Sequence, residues 1–226
     1  MPQTHPIDNR PPRAPVALFL RPTHDQRPTD ASGRPLPDWY GVHPDHLAHL
    51  ITRCSAQGDT VLDTDAHPTV VAAAEYLHRL PGLAIADGQP PAGRSESLAD
   101  HRPTTVRLVM ATLPRIGLNS SDVHTLSQTL TAWQQLLHPG GYLIVLLTAG
   151  PGTGTLGHRS TVVAAARTAG LRFHQHIPAL LVPLPETEPR TEAHPAVRPP
   201  LLASRHMRTH RDLLIFATTA AEAADA

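Results

Sequence analysis

Short apolar runs alternate with helical segments along the middle of this chain, and this alternation limits the fold more than any other feature. The strongest run, residues 142–147 (YLIVLL), has no charged position, which is typical of a strand that is buried on both faces of a sheet. Strands that alternate with helices form a parallel sheet with helices on both faces. The sequence therefore predicts an α/β domain.

The individual elements follow from apolar spacing and from glycine and proline stops. Helices are predicted at residues 46–54, 67–80, 126–137 and 160–169. Strands are predicted at residues 60–62, 83–86, 105–111, 142–147 and 212–217, and residues 171–184 are expected to form two extended pieces broken at Pro178. The last two of these segments fit a terminal antiparallel hairpin at the edge of the sheet.

The 25 prolines of this 226-residue chain predict loose ends around one folded domain. Residues 1–37 are expected to form a disordered arm with a short strand at residues 16–20. The domain is predicted at residues 38–218, with a Pro-rich loop at residues 185–205, and residues 219–226 form a tail.

Charge and cysteine content exclude several classes of protein. The 19 basic residues balance the 19 acidic ones, which argues against a globally basic nucleic-acid coat protein. Cys54 is the single cysteine, so a disulfide framework and a zinc site of several thiolates are excluded, and Cys54 is expected to be a small buried apolar residue. The sequence has no apolar run of about 18 residues and no signal-peptide core, so a cytoplasmic protein without membrane contact is expected.

Histidine pairs are candidate metal ligands because the chain has 16 histidines. His46 with His49, and His206 with His210, would share a helical face. No nearby acidic residue completes either set, so no metal site is predicted.

Ligands of open α/β sheets lie beyond the carboxyl ends of the strands. Three segments occupy such positions here: residues 63–69, 111–115 and 148–157. The third contains the spacing G-x-G-x-x-G at residues 152–157, but it follows a late strand, and no acidic residue lies about 20 positions further on to hold a ribose. A flexible loop is the interpretation favoured there.

The first two segments resemble motifs of one enzyme family. Residues 58–69 (GDTVLDTDAHPT) resemble the cofactor-binding motif of S-adenosylmethionine-dependent methyltransferases of the DNA amino-methylating (N4/N6) type. Residues 108–115 (LVMATLPR) stand where that family has a strand that ends in (Asp/Asn/Ser)-Pro-Pro-(Tyr/Phe). Residues 136–145 (LLHPGGYLIV) resemble its Leu-x-Pro-Gly-Gly turn, and residues 168–176 and 210–216 are similar to actinobacterial members.

The resemblance covers residues 38–218 and implies a Rossmann-like class I methyltransferase fold. It implies that the target amino group is held near Thr112, Pro114 and Arg115. It also implies an S-adenosylmethionine site, formed by Asp59, Asp63, Asp65, Ala66, His67 and Asp87. For three of these acids the alternatives are structural: a turn or cap for Asp63 and Asp87, and the N-cap of the following helix for Asp65.

Both motifs depart from the family pattern. His67 and Pro68 replace glycines that let the backbone approach the cofactor, and Arg115 replaces the aromatic residue that stacks on a flipped-out base. Three functions stay open: a methyltransferase acting on base amino groups, with full, reduced or lost activity; an inactive scaffold that binds nucleic acid or protein; and a small-molecule methyltransferase.

A basic stretch near the C-terminus suggests DNA or RNA as the partner. The stretch consists of five arginines in or beside the Pro-rich loop, where they could follow a phosphate backbone: Arg190, Arg198, Arg205, Arg208 and Arg211. A solvated loop is the alternative.

Overall fold

The computed structural model describes residues 17–22, 27–30, 32–83, 106–114, 123–148, 158–183 and 209–219. The helices in these ranges are α1 (Pro44–Cys54), α2 (Pro68–Tyr76), α3 (Val123–Leu136) and α4 (His158–Thr168). The strands are β1 (Thr60–Asp63), β2 (Leu80–Leu83), β3 (Val106–Leu113), β4 (Leu137–Leu147), β5 (Arg172–Leu180) and β6 (His210–Ala217). No helix in the same ranges has the length and apolar character that crossing a membrane requires.

The strands form one six-stranded sheet in the order β2-β1-β3-β4-β6-β5. Strands β2, β1, β3 and β4 are parallel to one another. Strand β6 runs antiparallel to both β4 and β5. The predicted fold class is confirmed: a mostly parallel, Rossmann-like α/β sheet with helices on both faces and a C-terminal antiparallel hairpin.

Each face of the sheet has its own apolar core. On one face α1 and α2 cover Leu108 and Met110 of β3. On the other face α3 and α4 cover Val109 and Ala111 of the same strand. Successive side chains of a strand point to opposite faces, so a central strand with both faces covered must be apolar at every position. This is why residues 142–147 form a continuous apolar run.

Helix α2 ends at Tyr76, four residues before its predicted end. It closes in a Schellman motif, in which the N–H of His78 donates to the carbonyl of Glu75 at 2.9 Å. The N–H of Arg79 donates to the carbonyl of Ala74 at 2.8 Å. The left-handed position of this motif, usually a glycine, is taken by His78 with φ 59°. The sequence therefore contains no glycine to mark the end of the helix.

Strand β2 occupies Leu80–Leu83 instead of residues 83–86, of which the last three lie outside the described residues. Pro81 and Gly82, predicted to stop the preceding helix, lie within this strand. A proline is compatible with the position because β2 is at the edge of the described sheet.

Strand β4 is longer than predicted, and β5 is one continuous strand, Arg172–Leu180, instead of two extended pieces over residues 171–184. Strand β4 begins at Leu137, directly after α3, and includes the Pro-Gly-Gly segment of residues 139–141 where the register with β3 shifts. Strand β5 passes through Pro178 without a break. Its place at the other edge of the sheet allows a residue without an N–H group there.

Two parts of the predicted N-terminal arm contact the domain. Phe19 forms an isolated bridge with Ala179 of β5, and its ring stacks on His46 of α1 with ring centroids 4.5 Å apart. Further along, the carbonyl of Pro37 accepts a hydrogen bond from the hydroxyl of Thr69 in α2 at 2.6 Å. Residues 37–43, named the strap, therefore pass beside the start of α2. The domain boundary at residue 38 stays a prediction.

Candidate functional site

The strand order of the sheet reverses between β1 and β3. Strand β2 lies on one side of β1, whereas β3 and β4 follow on the other side. Ligands of open α/β sheets bind at such a switch point, outside the carboxyl ends of the strands. The two strand ends here are Asp63 of β1 and Leu113 of β3. The space beyond them, named the β1–β3 crevice, is the candidate functional site.

Asp63 is almost completely buried, with 1% of its surface exposed. Its Oδ1 accepts the N–H of Asp65 at 3.0 Å, and its Oδ2 accepts the N–H of His67 at 2.6 Å. Hydrogen bonds from N–H groups to a carboxylate are charge-assisted and strong. Asp63 therefore fixes the backbone of the β1–α2 loop from inside the protein.

The β1–α2 loop turns at Ala66, whose φ of 53° lies in the left-handed region that non-glycine residues seldom adopt. His67 follows as the N-cap of α2, and its Nδ1 accepts the N–H of Thr69 at 3.3 Å. The expectation that Asp65 caps this helix is wrong. The cap requires an unprotonated Nδ1; burial lowers the pKa of His67 and favours that form, although the charge of Asp65 acts in the opposite direction.

Asp65 instead connects the two motifs that the sequence singled out. The hydroxyl of Thr112 in β3 donates to Oδ2 of Asp65 at 2.8 Å, although the two residues are 47 positions apart. Thr112 is buried and Asp65 is half-buried, so this hydrogen bond spans the β1–β3 crevice. Pro114, exposed and joined to Leu113 by a cis peptide, follows at the end of the same strand. The crevice therefore brings Asp63, Asp65, Ala66, His67, Thr112 and Pro114 together.

The end of β4 and the strap complete this edge of the sheet. The N–H and the hydroxyl of Thr148 both donate to the carbonyl of Leu113, at 2.8 and 3.0 Å. Arg211 of β6 donates through Nη1 to the carbonyl of Thr148 and through Nε to the carbonyl of Tyr40, the latter at 3.2 Å. The ring of Tyr40 lies 5.2 Å from the ring of His67, measured between centroids. The strap is thus tied to both the β1–α2 loop and the end of β4.

Asp59 lies at the amino ends of the parallel strands, on the side of the sheet opposite to the crevice. It precedes β1, and its Oδ2 accepts the N–H of Ala56 at 2.7 Å, which closes a turn. The rise along β1 places Asp59 about 13 Å from Asp63. The structure does not bring Asp59 to the crevice.

The other predicted site residues lie outside the described part of the chain. They are Asp87, Arg115, Arg190, Arg198, Arg205 and Arg208, together with the glycine-rich residues 152–157. Within the described part, no three His, Cys, Asp or Glu side chains are grouped so that they could hold a metal ion.

Sequence reasoning missed Tyr40 and the contacts of Arg211. Arg211 belongs to the basic stretch, but that pattern indicated no specific partner for it, and no sequence pattern indicated Tyr40. The two residues meet across 171 positions of sequence, and such a contact leaves no local pattern. Thr148, by contrast, stands in a segment that the strand-end rule had indicated.

The side chains around the crevice fit a ligand that carries positive charge and hydrogen-bond donors. The half-buried Asp65 supplies a carboxylate, Asp63 adds negative charge from inside the protein, and Thr112 and Thr148 supply hydroxyls at the ends of the next two strands. S-adenosylmethionine offers matching groups, since it carries an ammonium, a sulfonium and two ribose hydroxyls. The chemistry of the residues present therefore fits this cofactor at its cationic end.

The start of α2 offers less to the carboxylate of the same cofactor. Pro68 has no N–H, the N–H of Thr69 bonds to the His67 ring, and the N–H of Val70 bonds to the His67 carbonyl at 3.0 Å. Helix N-termini bind anions through N–H groups that point outward. A bound carboxylate would have to find its donors elsewhere along the crevice.

No protein-family profile and no curated protein matches this sequence. Solved structures with a similar chain path include methyltransferases. TrmN from Thermus thermophilus aligns at 14% identity and a TM-score of 0.47 over 79% of this chain and 49% of its own. An S-adenosylmethionine-dependent methyltransferase from Methanosarcina mazei aligns at 10% identity and 0.41 over 76% and 98%.

A candidate DNA modification methylase, also from Thermus thermophilus, aligns at 13% identity and a TM-score of 0.35, over 73% of this chain and 53% of its own. The chain thus spans about half the length of the two Thermus proteins. Similarity at this level carries no functional argument, and the function has to be argued from the residues of the crevice.

Proposed function

We propose that the protein is an S-adenosylmethionine-dependent methyltransferase that binds this cofactor in the β1–β3 crevice and acts on amino groups of bases in DNA or RNA. The observation that carries the proposal is the 2.8 Å hydrogen bond from Thr112 to Asp65. It joins the segment that resembles a cofactor motif to the segment that resembles a substrate motif. The bond lies at the switch point, where a ligand of this fold class is expected.

The hydrogen bond also gives Thr112 a defined orientation. A hydroxyl has one donor hydrogen and two acceptor lone pairs. Because the hydrogen of Thr112 points to Asp65, the lone pairs of its oxygen face other directions and can accept a hydrogen bond from an amino group. Pro114, exposed at the end of the same strand, borders this position. Bound S-adenosylmethionine would supply the methyl group, and these residues would hold the amino nitrogen in place.

A second candidate function is an inactive scaffold that binds nucleic acid or protein. The observation in its favour is the start of α2, where the first N–H groups are bonded within the loop and His67 and Pro68 replace glycines. If the cofactor carboxylate has no hydrogen-bond donor, the cofactor does not bind, and the protein keeps its fold but has no methyltransferase activity. The partner would then bind without any requirement for S-adenosylmethionine.

The deciding experiment is calorimetric titration of the whole protein with S-adenosylmethionine and S-adenosylhomocysteine. The informative variant is Asp65→Asn, and the matched control is Asp45→Asn, which changes an exposed carboxylate in the first turn of α1. We expect micromolar binding that Asp65→Asn weakens about tenfold and Asp45→Asn leaves unchanged, as for one charge-assisted hydrogen bond. Transfer of a radiolabelled methyl group to DNA or RNA oligonucleotides then tests the reaction.

Each outcome assigns one of the functions. Binding of the cofactor together with methyl transfer to nucleic acid supports the proposal. Binding of the cofactor with methyl transfer to small molecules instead would identify a small-molecule methyltransferase. No binding at millimolar cofactor contradicts the proposal. In that case salt-sensitive retention of nucleic acid without cofactor would support the scaffold.

A further inference from the structure

Two large aromatic side chains are exposed in the described part of the chain, and they lie at opposite edges of the sheet. Tyr76, 82% exposed, ends α2 near the start of β2. Tyr40, 41% exposed, lies in the strap at the carboxyl edge, where its ring faces that of His67. An exposed ring beside a candidate site, like that of Tyr40, can contact a bound ligand. The ring of Tyr76 lies far from the β1–β3 crevice, at the other end of α2.

The backbone of Tyr40 is held in an uncommon conformation. Its φ of 50° is in the left-handed region, as is that of Ala66 in the facing loop. Trp39 and Val42 exchange two backbone hydrogen bonds, at 2.9 and 3.0 Å, and close the turn that carries the ring. The fully buried side chain of Trp39 anchors this turn in the core. Non-glycine residues keep such conformations only where the surroundings impose them, and they concentrate at functional sites.

Contacts on two sides locate Tyr40 over the crevice. Its ring touches His67 in the β1–α2 loop, at 5.2 Å between centroids. Its carbonyl is bound by Arg211, which also binds the carbonyl of Thr148 at the end of β4. Strand β3 lies between β1 and β4 in the sheet. The turn is therefore connected to the β1–α2 loop on one side of β3 and, through Arg211, to the end of β4 on the other side.

The geometry points to Tyr40 as a stacking residue for a planar nucleobase in the β1–β3 crevice. The inference rests on the proposed function and deepens it, because it names the residue that recognises the base. Stacking is the chemistry required, since every nucleobase has an aromatic face and a tyrosine ring matches it without reading its edge. The base comes from one of two sources, the adenine of the cofactor or a base of the nucleic acid.

Three variants isolate the ring. Tyr40→Asn removes it and keeps a residue that tolerates the left-handed conformation, whereas Tyr40→Phe keeps the ring and removes the hydroxyl. Tyr76→Asn is the matched control, because it removes an exposed tyrosine from the other edge of the sheet. The probes are S-adenosylhomocysteine in calorimetry and a single-stranded oligonucleotide with one 2-aminopurine, whose fluorescence is quenched when its ring stacks.

We expect Tyr40→Asn to lower the affinity for one of the two probes by roughly tenfold or more. Tyr40→Phe and Tyr76→Asn should bind both probes with affinities near those of the wild type. Weaker binding of S-adenosylhomocysteine assigns Tyr40 to the cofactor adenine, and weaker binding with loss of quenching in the oligonucleotide assigns it to the substrate base. If the wild type binds a probe and Tyr40→Asn binds each probe with the same affinity as the wild type, the inference is wrong and the proposed function stands. If the wild type binds neither probe, both are wrong.

Discussion

The hydrogen bond between Thr112 and Asp65 should contribute measurably to the stability of the fold. Thr112→Val removes the hydroxyl and keeps the shape of a side chain that is 5% exposed. Hydrogen bonds to charged groups contribute about 1.5–3 kcal/mol net. Water can reach the half-buried Asp65 once its partner is lost, so we expect a loss at the lower end, about 1.5 kcal/mol. For a chain of this size that corresponds to a fall in Tm of roughly 3–6 °C.

A double-mutant cycle with Asp65→Ala separates this bond from the general effect of each substitution. We expect a coupling energy of about 1–2 kcal/mol between the two sites. Urea unfolding followed by tryptophan fluorescence measures it, since the two tryptophans of the chain, Trp39 and Trp133, lie in the cores on opposite faces of the sheet. Both probes should report one transition.

The control cycle pairs Asp65→Ala with Thr131→Val. Thr131 also donates a hydrogen bond at 2.8 Å, but to the carbonyl of Ser127 within α3. These two changes should be additive within about 0.5 kcal/mol, as for separate sites. A Thr112–Asp65 coupling no larger than that of the control would refute the bond, and with it the observation on which the proposed function rests.

Three further predictions follow from local geometry. Gly41→Ala should lower the free energy of unfolding by about 1–3 kcal/mol more than Gly58→Ala. Both glycines have a left-handed φ, but only the Cβ added at Gly41 would lie 2.5 Å from a methyl group of Leu181. Equal losses of stability in urea unfolding would contradict this prediction. Burial raises the pKa of Cys54 to about 11, so alkylation of the folded protein should stay slow until the pH nears that value, while the thiol of the unfolded chain reacts near pH 9. The stability that the neutral thiol contributes is present below pH 9 and is lost as the pH rises toward 11. Rapid alkylation of the folded protein at pH 8 would show that the thiol is accessible and would contradict this prediction. Burial, reinforced by the charge of His43, lowers the pKa of His46. The stability that the neutral His46 ring contributes is therefore present above the ordinary histidine pKa of 6.5 and is lost as the pH falls below 6.5. His46→Phe keeps the stack on Phe19 and should reduce the fall in Tm between pH 7 and pH 5, and an unchanged dependence of Tm on pH would contradict this role.

The end of α2 shows why local patterns misplace boundaries. Proline and glycine at residues 81 and 82 are the expected stop signals, yet the helix closes earlier through His78. The two hydrogen bonds of the Schellman motif hold His78 in the left-handed conformation, and the N–H of Gly58, from the turn before β1, donates to the carbonyl of His78 at 2.8 Å. Propensity therefore indicated that a helix and a strand exist there, and the tertiary contacts decided where each one ends.

The candidate site shows the same division. The strand-end rule indicated the segments that contain Asp63, Asp65 and Thr112, because a strand end can be recognised from apolar runs and the turns that follow them. The N-cap of α2 was the structural alternative for Asp65, whereas the structure uses His67 as the cap and Asp65 accepts a hydrogen bond from Thr112. A carboxylate that can cap a helix can equally accept a hydroxyl from the next strand, and only the distance between them decides.

The sequence by itself determined the fold class, since the periods of strands and helices are local properties of the chain and their alternation permits few arrangements. Only the tertiary structure decided which side chains meet at the crevice. Asp65 and Thr112 are 47 positions apart, and Tyr40 and Arg211 are 171 apart. Contacts at such separations arise from the order and register of the strands, and no window of neighbouring residues contains them.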